Sequence, residues 1–247
     1  MTRTFSMAIA ATAIALTPAC AQEQIDTASK EAIEKVVYDY IIENPEIIEE
    51  ALIALTEKRQ LAELEESREA IAENQDELYN HAGDFSIGPD DAAVTIVEFF
   101  DYRCGYCKRS ASWATGLPEK YDNQVRVIFK ELPILSAESE KAALAALAAG
   151  KQDKYIEMHM ALMELDNGSG FGPDVIDAAA ESVGVDVARM RADMKSVDVQ
   201  KTVADSKSLA RTLGISGTPN FVIGNELIPS ADITQVEALI QTSLVDG

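Results

Sequence analysis

The sequence predicts an α/β domain carrying a helical insertion and preceded by a separate helical region. Three observations carry that reading. Val94-Thr95-Ile96-Val97-Glu98-Phe99-Phe100 and Gln124-Val125-Arg126-Val127-Ile128-Phe129-Lys130 are β-like apolar runs around the helix-compatible stretch 108–117. The mainly helical stretch 139–213 follows them, before a short terminal hairpin and helix. From Gln22 to Asn80 there is no glycine and one proline, with Ala, Leu, Ile, Glu and Lys in abundance.

The chain starts Met1-Thr2-Arg3, runs apolar from Met7 to Leu16 and reaches Ala19-Cys20-Ala21. A basic start, a short apolar core and a small-x-small end are the pattern of a secretory signal peptide, 1–21, cleaved after Ala21 and too short to span a bilayer. Export to the periplasm or cell exterior is therefore expected, where thiols can form lasting disulfides. Lipoprotein anchoring through Cys20 is the alternative, disfavoured because Leu16 lies one position too far from the cysteine.

The helical region is expected over 22–82. Pro45 should divide it, with Asn44 capping the second helix and Pro45 as its first residue. Ile33, Val37, Tyr40 and Ile41 stripe the first helix, and Ile48, Leu52 and Leu55 the second; Leu61, Leu64, Ile71 and Leu78 continue in an imperfect heptad that slips after Leu55. Stripes without an internal partner favour association with further copies, so an oligomerisation stalk is expected over helices folded back on the main domain. Residues 23–77 hold seventeen acidic against five basic residues, and the whole chain has a formal charge of −21. That balance excludes the basic patches of a nucleic-acid binder.

The main domain is expected over 83–247, with the helical insertion at about 136–196. Asp166-Asn167-Gly168-Ser169-Gly170-Phe171-Gly172-Pro173 interrupts the insertion as a loop. Phe221-Val222-Ile223, a tight turn at Gly224-Asn225 and Glu226-Leu227-Ile228 read as the hairpin, with a final helix from about Asp232.

Cys104-Gly105-Tyr106-Cys107 lies at the first strand-to-helix junction. At a helix start, unpaired amides and the positive end of the dipole stabilise a thiolate on Cys104, and Cys107 lies one turn on, placed to attack a mixed disulfide there. Cys104 is thus the candidate nucleophile and Cys107 the resolving thiol. The competing reading is half of a zinc or iron-sulfur site; it needs two more ligands, and the chain offers only Cys20, His81 and His159, none suitably paired.

Glu98-Phe99-Phe100-Asp101-Tyr102-Arg103-Cys104-Gly105-Tyr106-Cys107-Lys108 and Gly214-Ile215-Ser216-Gly217-Thr218-Pro219-Asn220-Phe221 resemble the motifs of the DsbA-like branch of the thioredoxin superfamily. The resemblance covers about Phe85 to Leu244, and the helical extension is similar to that of the suppressor-of-copper-sensitivity protein C group, whose members include trimeric disulfide isomerases. It implies a thioredoxin fold with an inserted helical domain, a cis-proline at Thr218-Pro219 presenting the Thr218 backbone to an extended substrate, and a buried acid, Glu98, exchanging a proton with Cys107. Glu98 could instead meet a lysine such as Lys130. Thr218, Pro219, Gly105 and Tyr106 form the expected substrate-binding set. Gly105-Tyr106 departs from the Pro-His pair of strong oxidases, which points to a milder oxidant.

The expected activity is that of an exported oligomeric protein disulfide isomerase, a homotrimer by resemblance, acting on cysteine-containing exported proteins and kept reduced by a membrane reductase of the DsbD type. A dithiol oxidase served by a DsbB-like acceptor is the alternative within enzymes. From other classes come a redox fold used only as a scaffold and a copper-resistance protein holding copper(I) at Cys104 and Cys107. No cofactor beyond the redox disulfide is otherwise expected. Met158-His159-Met160 with Met163 also invites a copper(I) reading, but core packing is favoured because Met158 and Met160 point apart on a helix. Trp113, Phe99 and Phe129 are read as core.

Overall fold

The computed structural model describes residues 27–168 and 170–246. The expected signal peptide, Cys20 and the cleavage site lie outside them. The chain divides into two compact units, one ending at Lys58 and the other beginning at Arg59.

The first unit contains α1 (Thr27–Glu43) and the start of α2 (Glu46–Glu73). Asn44 acts on the helix before it: its Nδ2 donates to Tyr40 O at 2.8 Å, as does its backbone N–H at 2.9 Å. This corrects the expectation that Asn44 caps the second helix. Ile33, Val37, Tyr40, Ile48, Leu52 and Leu55 are all exposed.

The second unit contains the remainder of α2, then α3 (Gln75–Tyr79), β1 (Phe85–Ile87), β2 (Val94–Phe100), α4 (Gly105–Lys120), β3 (Val125–Glu131) and α5 (Ala137–Gly150). It continues with α6 (Tyr155–Glu164), α7 (Pro173–Ser182), α8 (Val187–Asp193), α9 (Val197–Thr212), β4 (Asn220–Ile223), β5 (Glu226–Pro229) and α10 (Ile233–Asp246). The sheet order is β1-β3-β2-β4-β5; β2 and β3 are parallel and the other pairs antiparallel. A parallel pair needs a crossover, and α4 supplies it.

Alternation divides the sheet's side chains between two faces. Ile96, Phe100, Val127 and Phe129 join the cluster that includes both cysteines, while Val97, Phe99, Ile128 and Val222 join a second with Leu209 and Leu213. Ile71 and Leu78 are buried in that second cluster. Arg68 Nε donates to Glu226 at 3.0 Å and Tyr79 OH to Gly224 O at 2.9 Å. Residues 59–79 are therefore part of this unit, whereas the sequence placed everything through 82 in the helical region.

Three further details depart from expectation. α4 runs on past Leu117 to Lys120, because Pro118 falls in its last turn and Tyr121 and Asn123 still donate to Leu117 O and Pro118 O. β1 was not foreseen; its three residues are too few to display alternation. α5 begins at a Ser136 cap whose Oγ accepts the Glu138 and Ser139 amides at 3.2 and 3.1 Å. Its alanines from Ala142 to Ala149 are buried around the helix, so neighbours approach closely; a Cβ on Gly150 would lie 2.1 Å from the Phe85 ring.

Candidate active site

β2 delivers its chain to the turn Asp101–Arg103, and Cys104 follows as the N-cap of α4, in extended conformation at φ −74° and ψ 117°. Its N–H donates to Asp101 O and its carbonyl accepts Lys108 N–H, both at 3.0 Å. Cys107 lies inside the first turn. Both thiols are free and buried, Cys104 at 7% exposure and Cys107 at 0%.

The two sulfurs have opposite acidities. Cys104 is brought down from 9.0 to about 5, chiefly by a hydrogen bond from the Cys107 thiol, with the Cys107 and Tyr106 amides assisting against burial. Cys107 is driven far above its ordinary value, first by burial and then by its bond to Cys104. At neutral pH one sulfur is a thiolate and the other its proton donor.

Thr218 and Pro219 come to the same place from the far end of the sequence. The Thr218-Pro219 peptide is cis, and protonated Cys104 Sγ donates to Thr218 O at 3.2 Å. The other residues of the expected substrate set are at the surface: Tyr106 is 61% exposed, with the Arg109 guanidinium 4.3 Å from its ring centroid. Gly105 has no steric reason to be glycine, since a Cβ there would meet only Arg109 Nη1 at 3.6 Å.

Glu98 is buried on the cysteine side of the sheet, opposite Phe129 in the β2–β3 register. Burial first, and the Cys104 charge second, raise it to about 8, and Oε2 has no hydrogen-bond partner. The alternative partner Lys130 is excluded by the pleat: Lys130 pairs with Phe99 in register, faces the other side and binds Asp84 and Glu77 O.

Several contributors escaped the sequence reading. Lys108 Nζ donates to Met163 O at 3.0 Å and Leu165 O at 2.5 Å, closing the end of α6 beside the redox motif. Glu131 Oε1 accepts Tyr102 OH and Tyr155 OH, both at 2.9 Å, and Tyr102 OH lies 3.2 Å from His159 Nδ1. Those partners are too distant in sequence for any spacing rule. His159, Met158 and Met163 are buried, and burial lowers the imidazole to about 3, which keeps it neutral. Among the described residues no group of three or more His, Cys, Asp or Glu converges as metal ligands.

The DSBA-like thioredoxin domain family matches residues 95–241, and the copper resistance protein ScsC N-terminal domain matches residues 30–63. A thioredoxin-like oxidoreductase from Silicibacter pomeroyi DSS-3 is 37% identical, with TM-score 0.64, over 69% of this chain and 97% of that one. A Proteus mirabilis ScsC variant with a linker deletion and a point mutation is 32% identical, with TM-score 0.65, over 92% of this chain and 100% of that one. Among curated relatives, the Na(+)/H(+) antiporter NhaA 1 of Salinispora arenicola is 36% identical over 78 residues, 31% of this chain. The chain spans only 12% of that protein's length.

Proposed function

This chain belongs to the DSBA-like thioredoxin domain family, a family of thiol-disulfide oxidoreductases, and from that premise we propose that it is an exported protein disulfide isomerase. The observation that carries the reading is the pairing of a stabilised Cys104 thiolate with a protonated, buried Cys107 beside the Thr218 carbonyl.

The Cys104 thiolate attacks one sulfur of a substrate disulfide; a Cys104–substrate bond forms, and the second substrate sulfur leaves as a thiolate and takes up a proton. In isomerisation that thiolate, or another cysteine of the substrate, attacks elsewhere in the substrate, and a substrate thiolate then displaces Cys104 with no net redox change. If the substrate stalls, Cys107 gives up its proton to solvent, or to Glu98 once that carboxyl has ionised, and attacks Cys104 Sγ. The substrate departs as a dithiol; the enzyme, two electrons poorer, is left as the Cys104–Cys107 disulfide, and a reductase of the DsbD type must return those electrons. The Thr218 backbone edge and Tyr106 receive an extended substrate segment, with Pro219 and Gly105 alongside.

The site works in several copies. The exposed apolar residues of α1 and early α2 coincide with the ScsC N-terminal match and support self-association, with a trimer as the proposed state. Export to the periplasm follows from the sequence pattern of residues 1–21. The protein needs no cofactor on this reading; the copper(I) alternative, favoured by the copper-resistance family match, would use the same two sulfurs. A dithiol oxidase with a DsbB-like acceptor would use the same steps in reverse.

The test is recovery of activity from a disulfide-scrambled model protein incubated with the reduced chain, with Cys104→Ser as control. Recovery that depends on Cys104 supports isomerisation. Failure, with disulfides instead donated to a reduced substrate, identifies the oxidase, and stoichiometric copper(I) retention against a competing chelator identifies the binding protein.

A further inference from the structure

Asp101 lies between the strand carrying Glu98 and the cysteine that opens α4. Its backbone carbonyl accepts the Cys104 N–H at 3.0 Å. One carboxylate oxygen accepts the Arg103 N–H at 2.8 Å, an Asx turn that shapes the approach to Cys104. The other accepts the Ile134 and Leu135 amides, at 2.9 and 3.0 Å, from the loop between β3 and α5. The side chain is 1% exposed, so these charge-assisted bonds form away from competing water. Arg103 stitches the same two segments again, its Nη1 donating to Glu138 at 2.6 Å and to Ser136 Oγ at 3.1 Å.

This arrangement bears on the chemistry because the two sulfurs ride on different elements. Cys104 belongs to the turn and Cys107 to the helix, so the approach of one sulfur to the other depends on where the turn is held. Reaction geometry is steep, and a displacement of about 1 Å costs on the order of a hundredfold in rate. The Asp101 amide also favours ionisation of Cys107, the event that resolution requires.

We infer that Asp101 is a positioning residue for disulfide exchange: its carboxylate fixes the turn that carries Cys104 against the β3–α5 loop, so that Cys107 meets the mixed disulfide in line. The inference rests on the exchange activity proposed above. It separates two kinds of support around the cysteines. The Cys107 hydrogen bond stabilises the attacking thiolate, whereas Asp101 governs the second displacement. Asparagine cannot replace it, because a single amide oxygen can serve the Arg103 side or the 134–135 side, and its NH2 then opposes an amide donor on the other. Serine at 101 retains an acceptor for the Arg103 amide but is too short for the far loop.

The test follows the reduced full chain reacting with oxidised glutathione, with acid-quenched samples resolved by mass into mixed disulfide on Cys104 and intramolecular Cys104–Cys107 disulfide. The Asp101→Asn and Asp101→Ser variants are expected to accumulate the mixed disulfide, with resolution slowed about ten- to hundredfold and first attack slowed less than about threefold. A purely structural role would lower both steps together. Resolution within about twofold of wild type in a folded variant overturns the inference, as does a parallel fall in both rates; if only one variant folds, that variant decides, and if neither folds the role is structural and the inference is lost. A wild-type chain that forms no mixed disulfide at Cys104 defeats the exchange activity itself and is read separately from either variant.

Discussion

Replacing Cys107 by alanine removes the principal support of the Cys104 thiolate, and the effect can be sized. Cys104 is lowered from 9.0 to about 5, with the Cys107 hydrogen bond as the largest contribution. Hydrogen bonds to charged groups are worth about 1.5–3 kcal/mol, and one pKa unit corresponds to about 1.4 kcal/mol, so Cys107→Ala should raise the Cys104 midpoint by about 1–2 units. Thiolate absorbance against pH, checked by the pH profile of iodoacetamide alkylation, reads it directly. A midpoint that stays within about half a unit of wild type would refute the assignment of thiolate stabilisation to Cys107. The consequence for rate is less obvious. At neutral pH the depressed pKa raises the thiolate fraction roughly a hundredfold, but intrinsic nucleophilicity falls with basicity, and over four units at β ≈ 0.4–0.5 that loss is about 40–100-fold. The two nearly cancel, so high acidity serves Cys104 mainly as a leaving group when it is displaced from the mixed disulfide. Alkylation of Cys107→Ala at neutral pH should accordingly rise by only about two- to fivefold, while the midpoint moves clearly.

Glu98→Gln should flatten part of the pH dependence of stability. The folded carboxyl titrates at about 8 against 4.5 when unperturbed, so its stabilising contribution is full below 4.5 and is lost as pH rises through 8. The stability difference between variant and wild type, from urea unfolding of the reduced proteins, should shift by up to about 5 kcal/mol across that window; an equal difference at both ends speaks against a buried neutral carboxyl. Lys108→Met leaves the α6 carbonyls without their ammonium and should cost about 1–3 kcal/mol by denaturant unfolding, with no measurable loss counting against that anchoring. Tyr155→Phe takes one donor from buried Glu131 and should cost about 1–2 kcal/mol, again contradicted by unchanged stability. Leu52→Glu, on the exposed face of early α2, should shift sedimentation of the chain at micromolar concentration toward monomer; a wild type already monomeric there sinks the stalk.

The parts of the site that were legible in sequence are those whose signals are local. The CxxC pair at a strand-to-helix junction, the Thr218-Pro219 pair and the Gly224-Asn225 hairpin each announce themselves within a few residues. The choice between Glu98 as a buried acid and Glu98 as a partner of Lys130 was different, because it depended on strand register. Once Glu98 stands opposite Phe129, alternation sends Lys130 to the other face, where Asp84 receives it. Asp101 and Glu131 were invisible as organisers for the same reason: their partners lie 33, 34, 29 and 24 residues away, brought together only by the fold.

Helix α2 shows most plainly what periodicity does and does not specify. Leu64 and Ile71 are seven residues apart, which places them within about 20° of one another on an α-helix. Leu64 is 36% exposed, bordering a groove with Leu213 and Leu227, whereas Ile71 is fully buried beside Leu209. The same face of one helix therefore passes from open groove to core. A repeating apolar position identifies the side of the helix that seeks burial, but the surface opposite it decides whether burial occurs within the chain or awaits another copy. That is why Ile71 and Leu78 read as a continuation of the stalk although they belong to the redox domain, and why charge substitutions at Leu52 and at Ile71 should have opposite consequences. The first should act on assembly and leave the fold intact; the second should cost several kcal/mol of domain stability, about the loss expected for removing a large buried side chain and burying a charge in its place.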